Sequence, residues 1–243
     1  LGFNAVVLGL LIPAHRSGLF ARPRPTDEVP TSGAAATVAY LAPFLVAVAL
    51  QMVAEALFQD PAAFYPVRLA AVGLLLWGLW RWYDGLQTPG PVLAPAVGRA
   101  WAAAVGLGVF AVWLALVPAS EGSPGPEGVS GGPEVAWWVA RVVGYVVITP
   151  VCEELAFRGY LLRRLVAADF RAVQYGRCRW RAVIVSSVLF GVLHGPWLPA
   201  TVAGFGYAIA AIRTGRLRDA VLAHAVTNGL LVAVGLTTGN WYE

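Results

Sequence analysis

Three short stretches of this 243-residue sequence carry groups able to perform hydrolytic chemistry. Pro150-Val-Cys-Glu-Glu-Leu-Ala-Phe-Arg-Gly159 supplies Glu153, Glu154 and Arg158, Phe190-Gly-Val-Leu-His194 supplies His194, and His224-Ala-Val-Thr-Asn228 supplies His224 and Asn228. Each group sits in or beside an apolar run, where an ionisable side chain costs about 2.5 to 3.5 kcal/mol at a bilayer centre on insertion scales. Such groups need partners or a purpose. Residues four apart share one face of a helix, so Glu154 and Arg158 pair within a turn. Glu153 then points about 100° away, toward another surface, and is released from that pair. His224 and Asn228 share a face, and Phe190 lies one turn from His194. A free carboxylate can activate water, an imidazole can carry a proton, and an amide can donate to an oxyanion.

Plainer roles stand beside these. Glu154 and Arg158 suffice as an ion pair that locks the helix, and a lone intramembrane histidine serves equally well as a packing hydrogen-bonder. Phe190 and Cys152 read as core, and Gly159, Gly191, Gly204 and Gly206 as points of close helix approach. An unpaired Glu153 in an apolar helix is harder to assign to packing alone.

The elements that must position these residues are membrane helices. Of all residues 58% are apolar and 12% charged, with mean hydropathy +0.68, a composition that water-soluble folds rarely reach. Seven apolar runs are legible: 35–57, 67–82, 101–117, 137–148, 182–194, 198–212 and 220–236. They predict an all-α, polytopic bundle of about seven spans with a polar intramembrane cavity, a span needing about 20 residues for roughly 30 Å of hydrocarbon. Residues 1–34 read as an N-terminal arm or incomplete first element, and 35–243 as the membrane domain with its catalytic core at about 137–240. The Gly/Pro/Ser-rich loop 120–133 is expected to be mobile.

Charge gives the orientation. All 17 basic residues are arginine, and they lie between apolar runs rather than in a nucleic-acid-binding patch. The loop 119–134 holds Glu121, Glu127 and Glu134 without an arginine, whereas 163–181 holds Arg163, Arg164, Arg171, Arg177, Arg179 and Arg181 against Asp169. Arg213, Arg216 and Arg218 mark the second side again. The positive-inside bias predicts a cytoplasmic N-terminus and a C-terminus on the opposite face. Cys152 and Cys178 form no CxxC pair, and no structural disulfide is expected.

The pattern Glu-Glu-x-x-x-Arg at 153–158, Phe-x-x-x-His at 190–194 and His-x-x-x-Asn at 224–228 resembles the CAAX prenyl endopeptidase and bacteriocin-processing (CPBP, or Abi) family of intramembrane proteases. The likeness covers roughly 137–240, and no motif position departs from it. Asp169-Phe-Arg-Ala-Val173, Leu222-Ala-His-Ala-Val-Thr-Asn228 and Thr237-Thr-Gly-Asn-Trp241 further resemble the CAAX-protease-related proteins associated with exosortase and PEP-CTERM sorting. That narrower likeness implies a bacterial inner membrane and a sorting system as partner.

The resemblance implies an endopeptidase acting on a membrane-associated protein or peptide. In it Glu153 is the general base on water with His194 beside it, His224 and Asn228 hold the oxyanion, and Glu154, Arg158 and Phe190 support them. No cofactor is favoured. Zinc is the competing account, with Glu153, His194 and His224 as three ligands and a fourth place for water, as for a metalloprotease, although no HExxH occurs. Rival functions are a non-catalytic peptide-binding or immunity protein and a small proton-coupled transporter.

Overall fold

The computed structural model describes residues 31–83, 86, 94–121, 125 and 130–242. The chain divides into two units, Leu1–Thr37 and Val38–Glu243. In the first, residues 31–37 are helical, with Thr37 Oγ1 donating to Gly33 O at 3.0 Å. The rest of the expected N-terminal arm lies outside the described residues, as does most of the loop 120–133 between Glu121 and Ser130.

Seven helices occupy the seven apolar runs: α1 (Thr31–Leu57), α2 (Tyr65–Gly78), α3 (Pro95–Leu116), α4 (Gly132–Arg164), α5 (Trp180–Val192), α6 (Trp197–Thr214) and α7 (Leu217–Thr238). Among the described residues five stretches are long and apolar enough to cross a membrane: Gly33–Leu57, Pro61–Gly78, Pro95–Leu116, Gly132–Arg164 and Leu217–Thr238. The fold is an all-α membrane bundle. Large apolar side chains such as Trp77, Leu74 and Leu57 face outward, 78%, 65% and 74% exposed. That outward apolar surface is expected where lipid replaces water as the solvent, because packing and hydrogen bonds then hold the helices together.

Three departures from the sequence reading bear on the site and on how the helix ends meet. The fourth run does not stop at Ile148 before Pro150, because α4 continues to Arg164, carrying Glu153, Glu154 and Arg158 in its body. A π-wound stretch at Gly144–Ile148 precedes the proline, and a second, Leu155–Leu161, follows the glutamates. Such widened turns take in a residue that lacks a donor and whose ring crowds the preceding turn. The fifth helix ends at Val192 rather than His194, so His194 stands just beyond α5, in the tight turn to α6. Two-residue strands, β1 (Ser120–Glu121) and β2 (Asn240–Trp241), also pair antiparallel, which no alternation of residues announced.

The pairing sets the ends of the second unit. Because β1 follows α3 and β2 follows α7, the outgoing ends of both helices meet where α4 begins. Trp241 stacks on Trp138 at 5.5 Å, and Trp113 Nε1 donates to Tyr242 O at 3.0 Å. Trp137 Nε1 donates to Ala62 O at 2.7 Å, bringing the segment before α2 to that end. The opposite end carries the close of α4, the start of α5 and the α6–α7 turn, where Gly215 adopts φ 73°. Arginines 163 to 181 and 213 to 218 lie there. This is the alternation of ends that the charge pattern predicted.

Candidate active site

The long α4 sets the site's register. Glu154 lies on the packed side, 0% exposed, and accepts from Arg158 Nη1 at 2.9 Å, the expected i,i+4 pair. Arg158 is also 0% exposed and donates through Nη2 to Gly204 O on α6 at 2.8 Å. The pair therefore does more than lock one helix. Glu154 Oε1 also lies 3.0 Å from His224 Nδ1 on α7, so one carboxylate ties α4 to α7 while its arginine ties α4 to α6.

Glu153 turns away from this pair and toward the cavity. Its Oε2 is buried with no hydrogen-bond partner among the described residues, 3.9 Å from His194 Nε2 and 3.8 Å from His224 Nε2. These distances exceed a direct hydrogen bond and lie within reach of one bridging water. His194 Nδ1 is 2.8 Å from Phe190 O. A carbonyl only accepts, so that nitrogen carries the hydrogen and Nε2 presents a lone pair toward Glu153. His224 is fixed the same way, Nδ1 toward Glu154 and Nε2 toward Glu153. Asn228 is 6% exposed and donates from Nδ2 to Tyr145 O at 2.8 Å, which uses one of the two amide hydrogens.

Aromatic rings hold the imidazoles. Phe190 stands 4.6 Å from His194 and 6.0 Å from His224, centroid to centroid, so it is both core and site wall. Arg158 sits over the Phe190 ring at 4.4 Å and the Tyr207 ring at 5.5 Å. Tyr207 stacks on His224 at 4.4 Å and 15° between planes.

A cavity of about 180 Å³ joins these groups. Glu153, His194, His224, Asn228 and Phe190 line it, as do Trp113, Tyr145, Thr149, Tyr207 and Thr227. Glu154 and Arg158 lie behind the lining and hold it in place. The second set of lining residues was missed in the sequence. Tyr207 had a signal, since a large polar ring between Gly206 and Ala208 on a small-residue helix needs a pocket. Thr227 gives its hydroxyl to Gly106 O at 2.9 Å, which fastens α7 to α3 beside the site. Glu153, His194 and His224 are the three zinc ligands that the sequence offered. Among the described residues no group of three or more His, Cys, Asp or Glu side chains is disposed to hold a metal ion, so no step is derived through one. Cys152 and Cys178 are free thiols.

With this geometry in place, comparison with known proteins gives one match. The family model described as "Rce1-like: Type II CAAX prenyl endopeptidase Rce1-like" matches residues 135–230. Over those residues the chain is similar to the Rce1-like family. The matched segment runs from the first turn of α4 to Leu230 in α7 and contains Glu153, Glu154, Arg158, His194, His224 and Asn228. The matched part of the chain builds most of the site, with Trp113 of α3 and Leu231 of α7 lining it from outside. No curated protein and no solved structure matches the chain.

Proposed function

We propose that this protein is an intramembrane endopeptidase that hydrolyses a peptide bond in a membrane-associated protein or peptide, with Glu153 activating the water. The observation that carries the reading is the buried Glu153 Oε2, without a hydrogen-bond partner among the described residues, facing two imidazole Nε2 atoms at 3.8 and 3.9 Å. Three acceptors around one position suit a water with two hydrogens to give. Glu153 takes one proton as the water attacks the scissile carbonyl, and His194 orients the water through Nε2. The proton passes to His224 Nε2, and the resulting imidazolium, its Nδ1–H held by Glu154, donates to the oxyanion together with the second amide hydrogen of Asn228. Collapse returns the proton to the leaving amine. A positioned base contributes about 10² to 10⁴ in rate and an oxyanion donor about 10² to 10³.

Family likeness supports a glutamate-driven step over a zinc-driven one. The positive-inside bias supports a cytoplasmic N-terminus. The short runs at 169–173, 222–228 and 237–241 support a bacterial inner membrane and a partner in exosortase-linked sorting.

The test compares wild type with Glu153→Gln in detergent against a membrane-peptide library, read by mass spectrometry with and without chelator. Products that vanish in the variant and persist with chelator are expected. Activity lost to chelator and restored by zinc would overturn the metal-free step. A folded wild type that cleaves nothing would leave peptide binding or immunity as the better reading, and proton flux dependent on Glu153 without cleavage would favour transport.

A further inference from the structure

We infer that the peptide reaches Glu153 from the arginine-poor end of the bundle, which is the non-cytoplasmic face, so that the substrate is an extended peptide segment exposed there. The inference rests on the proposed hydrolysis and adds the side from which its substrate comes.

Phe190 and Tyr207, both against Arg158, floor the cavity, and from Glu153 its walls on α4, α7 and α3 run the other way. Along α4 its walls are Glu153, Thr149 and Tyr145, which step back toward Gly132. Along α7 they are His224, Asn228 and Leu231, which step forward toward Thr238, and on α3 Trp113 stands one turn from that helix's end. Those three directions converge on the end where β1 pairs with β2. Eight residues of α4 cover about 12 Å, so the cavity reaches well above Glu153 on that side. Trp113, Tyr145 and Leu231 would flank the apolar side chains of a segment lying along it.

The other direction is the shorter one by helix length, yet it is closed. Leu155 and Leu162 of α4, Ala208 and Ala211 of α6, and Leu217 and Ala220 of α7 are all 0% exposed. Leu162 and Ala208 also pack with Ala182 and Val183 of α5. Behind them lie Arg163 to Arg181 and Arg213 to Arg218, the side that the positive-inside bias assigns to the cytoplasm. A peptide arriving from the cytoplasm would have to part a close-packed layer.

Accessibility labelling tests this without any need for cleavage. In a Cys152→Ala, Cys178→Ala background, single cysteines are placed at Thr149→Cys in the cavity, Ser120→Cys at the arginine-poor end and Gly176→Cys at the opposite end, where a side chain has open space. A membrane-impermeant methanethiosulfonate is added to sealed right-side-out and inverted vesicles. Ser120→Cys and Thr149→Cys are expected to label in right-side-out vesicles alone, and Gly176→Cys in inverted vesicles alone. Thr149→Cys labelling with Gly176→Cys, or from neither side while both markers label, would overturn the route. Ser120→Cys labelling in inverted vesicles would overturn the face. The expected labelling in a protein that cleaves nothing would instead count against the hydrolysis alone.

Discussion

Arg158 ties α4 to α6 through its guanidinium, and the carboxylate it pairs with, Glu154, ties α4 to α7 through His224. Replacing the arginine by methionine keeps much of the volume but strands a buried carboxylate, and breaking a buried pair in this way costs about 3 to 5 kcal/mol. Arg158→Met is therefore expected to unfold at a markedly lower temperature in detergent, and Arg158→Lys to recover little, since an ammonium cannot reproduce the two-sided fork. A thermal midpoint within a degree of wild type would contradict this. Asn228→Ala removes an amide with one hydrogen committed to Tyr145 O, and kcat should fall about 10²- to 10³-fold with little change in KM. Cys178 lies outside the spans, between α4 and α5, and burial pushes its thiol up to about 11 against a weaker opposing pull from Arg163. Its thiolate is scarce at pH 8, so alkylation should be about a hundredfold slower than for a free thiol and should rise with pH through 10. Equal rates at pH 8 would contradict that burial.

Where α5 crosses α6, the contact is set by glycine. A Cβ at Gly191 would run into the Thr201 hydroxyl and come within 2.6 Å of Trp197 O and 2.8 Å of Thr201 N. Gly191→Ala should cost about 1 to 3 kcal/mol by overpacking and displace the neighbouring His194, lowering activity as well. Gly108 on α3 has nothing within 4 Å, and Gly108→Ala should be neutral or stabilising by up to about 1 kcal/mol. Comparing the two midpoints checks the crossing. At this scale the sequence was a good guide to where helices lie and a poor one to where they end. Apolar runs report burial in lipid, which every helix here shares, but the run that ends at Ile148 belongs to a helix that continues past Pro150, and the run that ends at His194 to one that stops at Val192. Only the π-wound turns beside Pro150 let one helix continue, and winding of that kind leaves no mark in hydropathy.

Across the whole molecule, the reach of the sequence depended on distance along the chain. Glu154–Arg158 was legible because four residues on a helix fix their own geometry. The meeting of Glu153, His194 and His224 was legible only as a set of costly groups that needed one another, and the residues that complete the cavity, Tyr207, Tyr145 and Trp113, were not. An aromatic in an apolar helix carries no sign of which face looks inward. The arginine distribution, by contrast, anticipated which loops share an end, and the β1–β2 pair joins two of them. The brevity of α5 bears on the surrounding bilayer. At 13 residues it spans about 20 Å, and its turn into α6 ends at the level of the cavity. Lipid beside this hairpin must compress or tilt its chains to meet the helix ends, a hydrophobic mismatch that the long α4 does not share. Membranes of shorter acyl chain would relieve that strain, and turnover in reconstituted vesicles should be higher in them than in thick ones.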